Sequence, residues 1–331
     1  MFDRKCVRAI VAVTLALTLI LGFTCSAMAD AVRVAIVQPM THTSLNQIRD
    51  TIIAELEASD TEYEIITRNA EGDSASLSTI LENVKMDGVD ILVPIATNTA
   101  QSSKVVFDET GVPVVFAAVS DPVAAGLTGD DCGFITGVSN NIPAAEIVNL
   151  ISDFQPDYKL IGFLYTSSET NSVSTINAAK AYCDESDIAY EEVSIANLSE
   201  LQTAVETLIS RKVDALYTGN DNSIASAMST YIDVAYEYGI PVYCGADSMV
   251  ADGGFATIGV DYVQLGRQVA AIVDRIAAGE QPEDIPYETL SDYARFVNLQ
   301  AADRIGMEIS DELLTSYNVL VEADGASHFG E

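Results

Sequence analysis

The sequence predicts an α/β protein of two parallel-sheet lobes, each covered by helices on both faces and the two joined by a multi-strand hinge. Three observations predict it. Apolar, β-branched runs alternate with amphipathic helical stretches along nearly the whole chain, an order that calls for right-handed crossovers and a parallel sheet. The order is written twice. Val89-Asp90-Ile91-Leu92-Val93-Pro94-Ile95-Ala96 runs into a Thr/Asn-rich tip and a helix, and so does Val213-Asp214-Ala215-Leu216-Tyr217-Thr218. Each copy leads on to a matched strand, Gly111-Val112-Pro113-Val114 and Gly239-Ile240-Pro241-Val242. Finally, an apolar run at Tyr293 to Leu299 follows two complete cycles, which requires the chain to cross repeatedly between lobes.

In the first cycle, Val32 to Val37 reads as a buried strand, and Gln38 to Ser44 as a polar loop. The helix from about Leu45 to Glu57 carries Leu45, Ile48, Ile52, Ile53 and Leu56 on one face. Tyr63 to Arg68 is the second strand, and Ser74 or Ser76 can cap the next helix, with Leu77, Ile80, Leu81 and Val84 inward. The duplicated stretch is the third strand, and Val112 to Val119 the fourth. The second cycle places strands at Lys159–Tyr165, Ala189–Ile195, Val213–Thr218 and Pro241–Ala246. Its helices run through Val173 to Tyr182, Leu198 to Ile209, and Ile224, Met228 and Ile232. Both cycles close alike, Phe134–Ser139 and Phe255–Asp261 each leading into a helix. A period this long marks an internal duplication and not a solenoid.

The N-terminus reads as an address. Arg4, Lys5 and Arg8 precede an apolar stretch from Ala9 to Phe23, and Ala27-Met28-Ala29 has the form of a signal-peptidase site, so cleavage is expected before Asp30. The stretch falls short of the roughly 20 residues a spanning helix needs. Cys25 offers lipid anchoring as an alternative, but Leu21-Gly22-Phe23-Thr24 fits a lipoprotein box poorly. The formal charge is −33. Without residues 1–29, which remove Arg4, Lys5, Arg8 and Asp3, it becomes −35. A surface of that sign repels nucleic acid and anionic lipid. Cys132, Cys183 and Cys244, an odd set at wide spacing, form neither a disulfide framework nor a zinc site.

The ligand crevice of an open parallel sheet lies beyond the carboxyl ends of its strands. The loops there, Gln38–Ser44, Thr97–Gln101, Ser120–Val123, Thr166–Ser172, Gly219–Ser223 and Asp247–Val250, are rich in Ser, Thr, Asn and Asp. Several adjoin helix N-termini, whose free N–H groups favour an anionic group. Thr97 and Thr99 add hydroxyls for a carboxylate, while Asp121, Asp221 and Asp247 can receive an ammonium. Such a set suits a small zwitterion better than a phosphate. No G-x-S-x-G elbow, P-loop or dinucleotide fingerprint is present, and the two histidines, His42 and His328, cannot build a triad or a metal cluster. The expectation is therefore a binding protein without catalytic residues, metal or cofactor.

At Ala96-Thr97-Asn98-Thr99-Ala100-Gln101, Val119-Ser120-Asp121-Pro122-Val123-Ala124-Ala125-Gly126-Leu127, Thr136-Gly137-Val138-Ser139, Glu169-Thr170-Asn171-Ser172, Asp221-Asn222-Ser223-Ile224-Ala225-Ser226 and Asp261-Tyr262-Val263-Gln264-Leu265-Gly266-Arg267-Gln268, the chain resembles the extracytoplasmic substrate-binding proteins of ABC importers. The resemblance is to their tryptophan- or aromatic-amino-acid-binding branch, over about Val32 to Val321. It implies a type I periplasmic-binding-protein fold with two Rossmann-like lobes and three crossovers. The N-terminal lobe would hold residues 30–140 with about 256–290, and the C-terminal lobe 141–255 with about 291–321, leaving 322–331 as a loose tail. It also implies that the polar end of an amino acid meets Thr97, Thr99, Ala100 and Gln101, with Ser120, Asp121, Asn171, Ser172, Asn222 and Asp247. The family's first tip loop is similar to His-Pro-x-Leu-Asp, where this chain has His42-Thr43-Ser44-Leu45-Asn46. That loop shapes the side-chain pocket, here Met40, His42 and Leu45.

The function expected is capture of a small amino acid-like ligand, aromatic in the branch the chain resembles, by a monomer that closes on it and docks on an ABC permease. Two other classes share these features: a ligand sensor for a membrane receptor, and an exported enzyme.

Overall fold

The computed structural model describes residues 31–291 and 293–329; the expected signal segment and Cys25 lie outside them. The first cycle runs β1 (Val32–Gln38), α1 (Thr43–Glu57), β2 (Tyr63–Asn69), α2 (Ser74–Met86), β3 (Ile91–Pro94), α3 (Thr97–Phe107), β4 (Val114–Ala117) and β5 (Ile135–Ser139). The second runs α4 (Ala144–Phe154), β6 (Leu160–Thr166), α5 (Thr170–Glu185), β7 (Ala189–Ile195), α6 (Leu201–Ser210), β8 (Ala215–Tyr217), α7 (Asn222–Ala225), α8 (Met228–Glu237), β9 (Val242–Cys244), α9 (Asp247–Ala251) and β10 (Ala256–Val260). The remainder is α10 (Tyr262–Ala277), β11 (Glu288–Thr289), β12 (Tyr293–Asn298), α11 (Leu299–Ile305), α12 (Asp311–Leu314) and β13 (Asn318–Val321).

Two sheets result, β11-β5-β4-β3-β1-β2 and β13-β12-β10-β9-β8-β6-β7. Pairing is parallel throughout except between β10 and β12. The central strands are buried end to end, as strands covered on both faces must be. Among the described residues the chain passes from one sheet to the other three times: between β5 and α4, between β10 and α10, and between β11 and β12. β10 is thus hydrogen-bonded in the seven-stranded sheet, and residues 256–260, expected in the N-terminal lobe, belong with the other strands of the second cycle. The chain returns with β11, which pairs with β5, and with α10, which packs on α1 beside β4 and β5. That packing is close because Gly266 has no side chain: a Cβ there would lie 2.7 Å from Thr51 Cβ. Behind the seam Ile48, Ile52 and Leu56 share one core with Leu265, Val269 and Ile272.

Local expectations are corrected in places. Asp73, not Ser74 or Ser76, caps α2, its carboxylate accepting from Ala75 and Ser76 N–H. The stretch through Ile224 and Met228 is two helices, α7 and α8, with Ala227 out of helical conformation between them. Thr97–Gln101, read as a loop, already forms the first turn of α3. The tail folds back through residue 329: Glu322 N–H donates to Ala326 O, His328 N–H donates to Leu320 O, and Phe329 packs against the core.

Candidate ligand-binding cleft

The carboxyl ends of both sheets face each other across a narrow cavity of about 30 Å³. Six helices begin at its edge: α1 at His42, α3 at Ala96, α5 at Glu169, α7 at Asp221, α9 at Ala246 and α10 at Asp261. At α1, α3 and α5 no N-cap side chain takes the first N–H groups. At α7 and α10 Asp221 and Asp261 do so, and at α9 Asp247 accepts from Ser248 N–H. The open starts of α1, α3 and α5 turn the positive ends of their dipoles toward the cavity.

The floor on the six-stranded side is strained backbone. Ala96 and Ala118 follow β3 and β4, line the cavity, and hold φ at 71° and 58°, a region L-residues other than Asn and Asp seldom enter. Ala96 N–H donates to Ala117 O and Ala118 N–H to Val138 O, both at 2.9 Å, which pins each residue to the neighbouring strand. The kink at Ala96 aims the start of α3 into the cleft. Thr97 lines the cavity, and Thr99 is fully buried one turn deeper; both hydroxyls are buried without a partner. Ser120 also lines it, donating to Asn140 Oδ1 at 3.1 Å.

The seven-stranded side supplies acceptors. Asp221 is buried and accepts from Thr166 N–H at 2.6 Å, Thr166 Oγ1 at 3.0 Å and Ile224 N–H at 2.9 Å. Burial, and then the neighbouring Glu169 charge, push its carboxyl up to about 7. Asn171 Nδ2 donates to Asn220 O at 2.5 Å, which leaves Asn171 Oδ1 buried and unpaired at the cavity. Glu169 stands at the start of α5 but caps α7: its carboxylate accepts from Asn222 N–H at 2.9 Å, Asn222 Nδ2 at 2.7 Å, Ser223 N–H at 2.8 Å and Ser223 Oγ at 2.7 Å. Asn220 is held from behind, because Gly245 allows the loop after β9 to pack on it; a Cβ there would sit 2.5 Å from Asn220 N.

Of the residues singled out from sequence, Thr97, Ser120, Asn171, Asp221, Asn222, His42 and Leu45 line this one cavity. Thr99 and Ala100 are buried behind it, and Ser172 lies against Asp221. Gln101 and Asp121 lie elsewhere along the cleft and clasp it: Thr170 Oγ1 donates to Gln101 Oε1 at 3.1 Å, and Ser174 Oγ to Asp121 Oδ2 at 2.6 Å. Met40 lines a neighbouring, more polar recess. Asp247 is not among the cavity residues, although burial raises its carboxyl to about 6. Sequence reasoning did not single out Ala96, Ala118, Asn140 and Tyr262, while Asn220 and Met249 fall within its crevice loops Gly219–Ser223 and Asp247–Val250. Glu169, quoted only within a motif, is the organiser of the second wall.

Further bonds cross the cleft. His42 Nε2 meets Asn222 Oδ1 at 3.1 Å, and Ser44 and Ser248 share a hydrogen bond of 2.5 Å. The two halves are in a closed arrangement.

Residues 33–320 match the family described as ABC transporter substrate binding protein. The chain belongs to that family. It is 28% identical over 285 residues to the Tyrosine-binding protein of Clostridioides difficile, covering 83% of this substrate-binding protein and 81% of that one. Among solved structures it is similar, with a TM-score of 0.82 and 30% identity over 88% of this chain and 99% of the other, to an ABC domain from Streptococcus pneumonia in complex with L-Trp. A ligand-free, open substrate-binding protein from Clostridium difficile superposes less well, with a TM-score of 0.66 at 28% identity, over 87% of this chain and 99% of the other. The better match to the ligand-bound form agrees with the bonds across the cleft. The fold is that of type I periplasmic binding proteins.

Proposed function

We propose that this substrate-binding protein captures an aromatic L-amino acid between its two sheets and delivers it to an ABC permease. The observation that carries the ligand class is the division of the cavity by charge. The start of α3 presents free N–H groups and the Thr97 hydroxyl, which suit a carboxylate. Across from it Asp221 and Asn171 Oδ1 present acceptors, which suit an ammonium. Between them Leu45, Ile48, Met249 and Tyr262 form an apolar wall, the kind of surface a ring packs on. The tyrosine-binding relative and the L-Trp complex support the same class.

In this reading the halves move about the three crossings, and the Gln101–Thr170 and Asp121–Ser174 contacts form on closure. The protein works outside the cytoplasm as a monomer, freed by cleavage before Asp30. No helix of the described residues is long and apolar enough to cross a membrane. A thermal-shift panel of the protein against the common amino acids tests the class. Ligand at a hundred times its Kd stabilises by about 2.7 kcal/mol, so a clear rise in Tm with aromatic amino acids is expected. No shift with any amino acid would overturn the reading.

A further inference from the structure

His42 has a place in this cleft that zwitterion binding does not use. It stands at the N-cap of α1, where a side-chain acceptor ordinarily bonds to the helix's own first N–H groups, yet it makes no such bond. Its ring faces the other half, with Nε2 at 3.1 Å from Asn222 Oδ1. The chemistry of that contact is set from the far side. Asn222 Nδ2 donates to Glu169 at 2.7 Å, so the atom presented to the imidazole is the amide oxygen, an acceptor. The proton must then be on Nε2, and burial keeps the ring below the usual histidine range and so neutral. Nδ1 is left as a lone-pair acceptor, and it is buried without a partner. The ring and the apolar residues Leu45, Ile48 and Met249 line the same cavity.

We propose that His42 Nδ1 is a specificity-determining acceptor for a hydrogen-bond donor on the ligand's side chain, so that the site prefers aromatic amino acids carrying a phenolic hydroxyl or a ring N–H over phenylalanine. Glu169 is the positioning residue: through Asn222 it fixes which imidazole nitrogen carries the proton and which is left as the acceptor. This inference rests on the aromatic amino acid reading of the cleft.

Calorimetric titration with L-tyrosine, L-tryptophan and L-phenylalanine tests it. At least one of the first two is expected to bind ten times more tightly than phenylalanine, and which one does so identifies the donor. His42→Phe keeps a ring but removes the acceptor together with the bond to Asn222, and should weaken the preferred ligand about tenfold more than it weakens phenylalanine, whose own loss reports the missing cross-cleft bond. His42→Gln, which can donate to Asn222 through Nε2 and accept through Oε1, should restore most of the preference. Equal binding of all three ligands by the unaltered protein, a preference that survives His42→Phe, or loss of all binding in both variants overturns the proposal. Binding of none of the three by the unaltered protein instead overturns the reading beneath it.

Discussion

The starts of α3 and α7 occupy equivalent places in the two β/α cycles, after β3 and after β8, and are finished in opposite ways. At α3 the N-cap is Ala96, whose side chain caps nothing, and the hydroxyls of Thr97 and Thr99 have no partner. At α7 every donor is taken: Asp221 caps Ile224 N–H, and Glu169 takes Asn222 N–H and Ser223 N–H. The first start is a set of donors; the second is capped and brings one carboxylate, Asp221, to the same cavity. Duplication supplied two facing helix ends, which alone would make a site for two anions. On the proposed reading, filling one end with acid gives the pair a positive and a negative side.

This contrast can be broken from either side. The largest effect is expected from Asp221→Asn, which removes the negative charge and should weaken amino-acid binding by about 3 kcal/mol, on the scale of a charged hydrogen bond; calorimetry measures it, and a thermal melt separates it from any loss of folding. Acidification acts on the same group. Burial in the closed cleft, and then the Glu169 charge, raise its carboxyl to about 7. Binding an ammonium there expels the proton, so affinity should fall as pH drops below about 7, by at most about tenfold per unit. Stability has the opposite sign. A raised carboxyl contributes stability below its ordinary range near 4, and that contribution is lost as pH rises through about 7, so the free protein should melt higher at pH 5 than at pH 8 as far as Asp221 and Asp247 decide it.

On the donor side, Thr97→Val removes one hydroxyl at nearly constant shape. It should weaken binding by about 1 kcal/mol while the ligand-free protein melts no lower, because that hydroxyl has no partner to lose. An equal loss of Tm would mean the hydroxyl is structural. Smallest of all, Asp121→Ala removes the contact with Ser174 across the cleft and should lower affinity by about 0.5 kcal/mol, mainly by faster release.

The strands were legible because burial on both faces writes them as unbroken apolar runs, and the facing tips because the duplication places them at strand ends. Thr97, Asn171, Asp221 and Asn222 were reachable that way. Ala96 and Ala118 were not: alanine carries no sign of a positive φ, which here comes from the pinning bonds to Ala117 and Val138. Tyr262 sits on a helix whose sequence neighbours face the core, and only the chain's return beside α1 brings it to the cavity. Glu169 reads as an ordinary N-cap, and its partners are 53 and 54 residues away. β11 and β13, edge strands of two and four residues, are too short to carry a pattern.

If one half of the cleft holds the ligand's carboxylate and the other its ammonium, tight binding needs both ends. Calorimetric titration with L-tyrosine, with tyramine, which lacks the carboxylate, and with 3-(4-hydroxyphenyl)propionate, which lacks the ammonium, checks this. Both analogues should bind at least a hundredfold more weakly than the amino acid. Either analogue binding within a few-fold of L-tyrosine would contradict it.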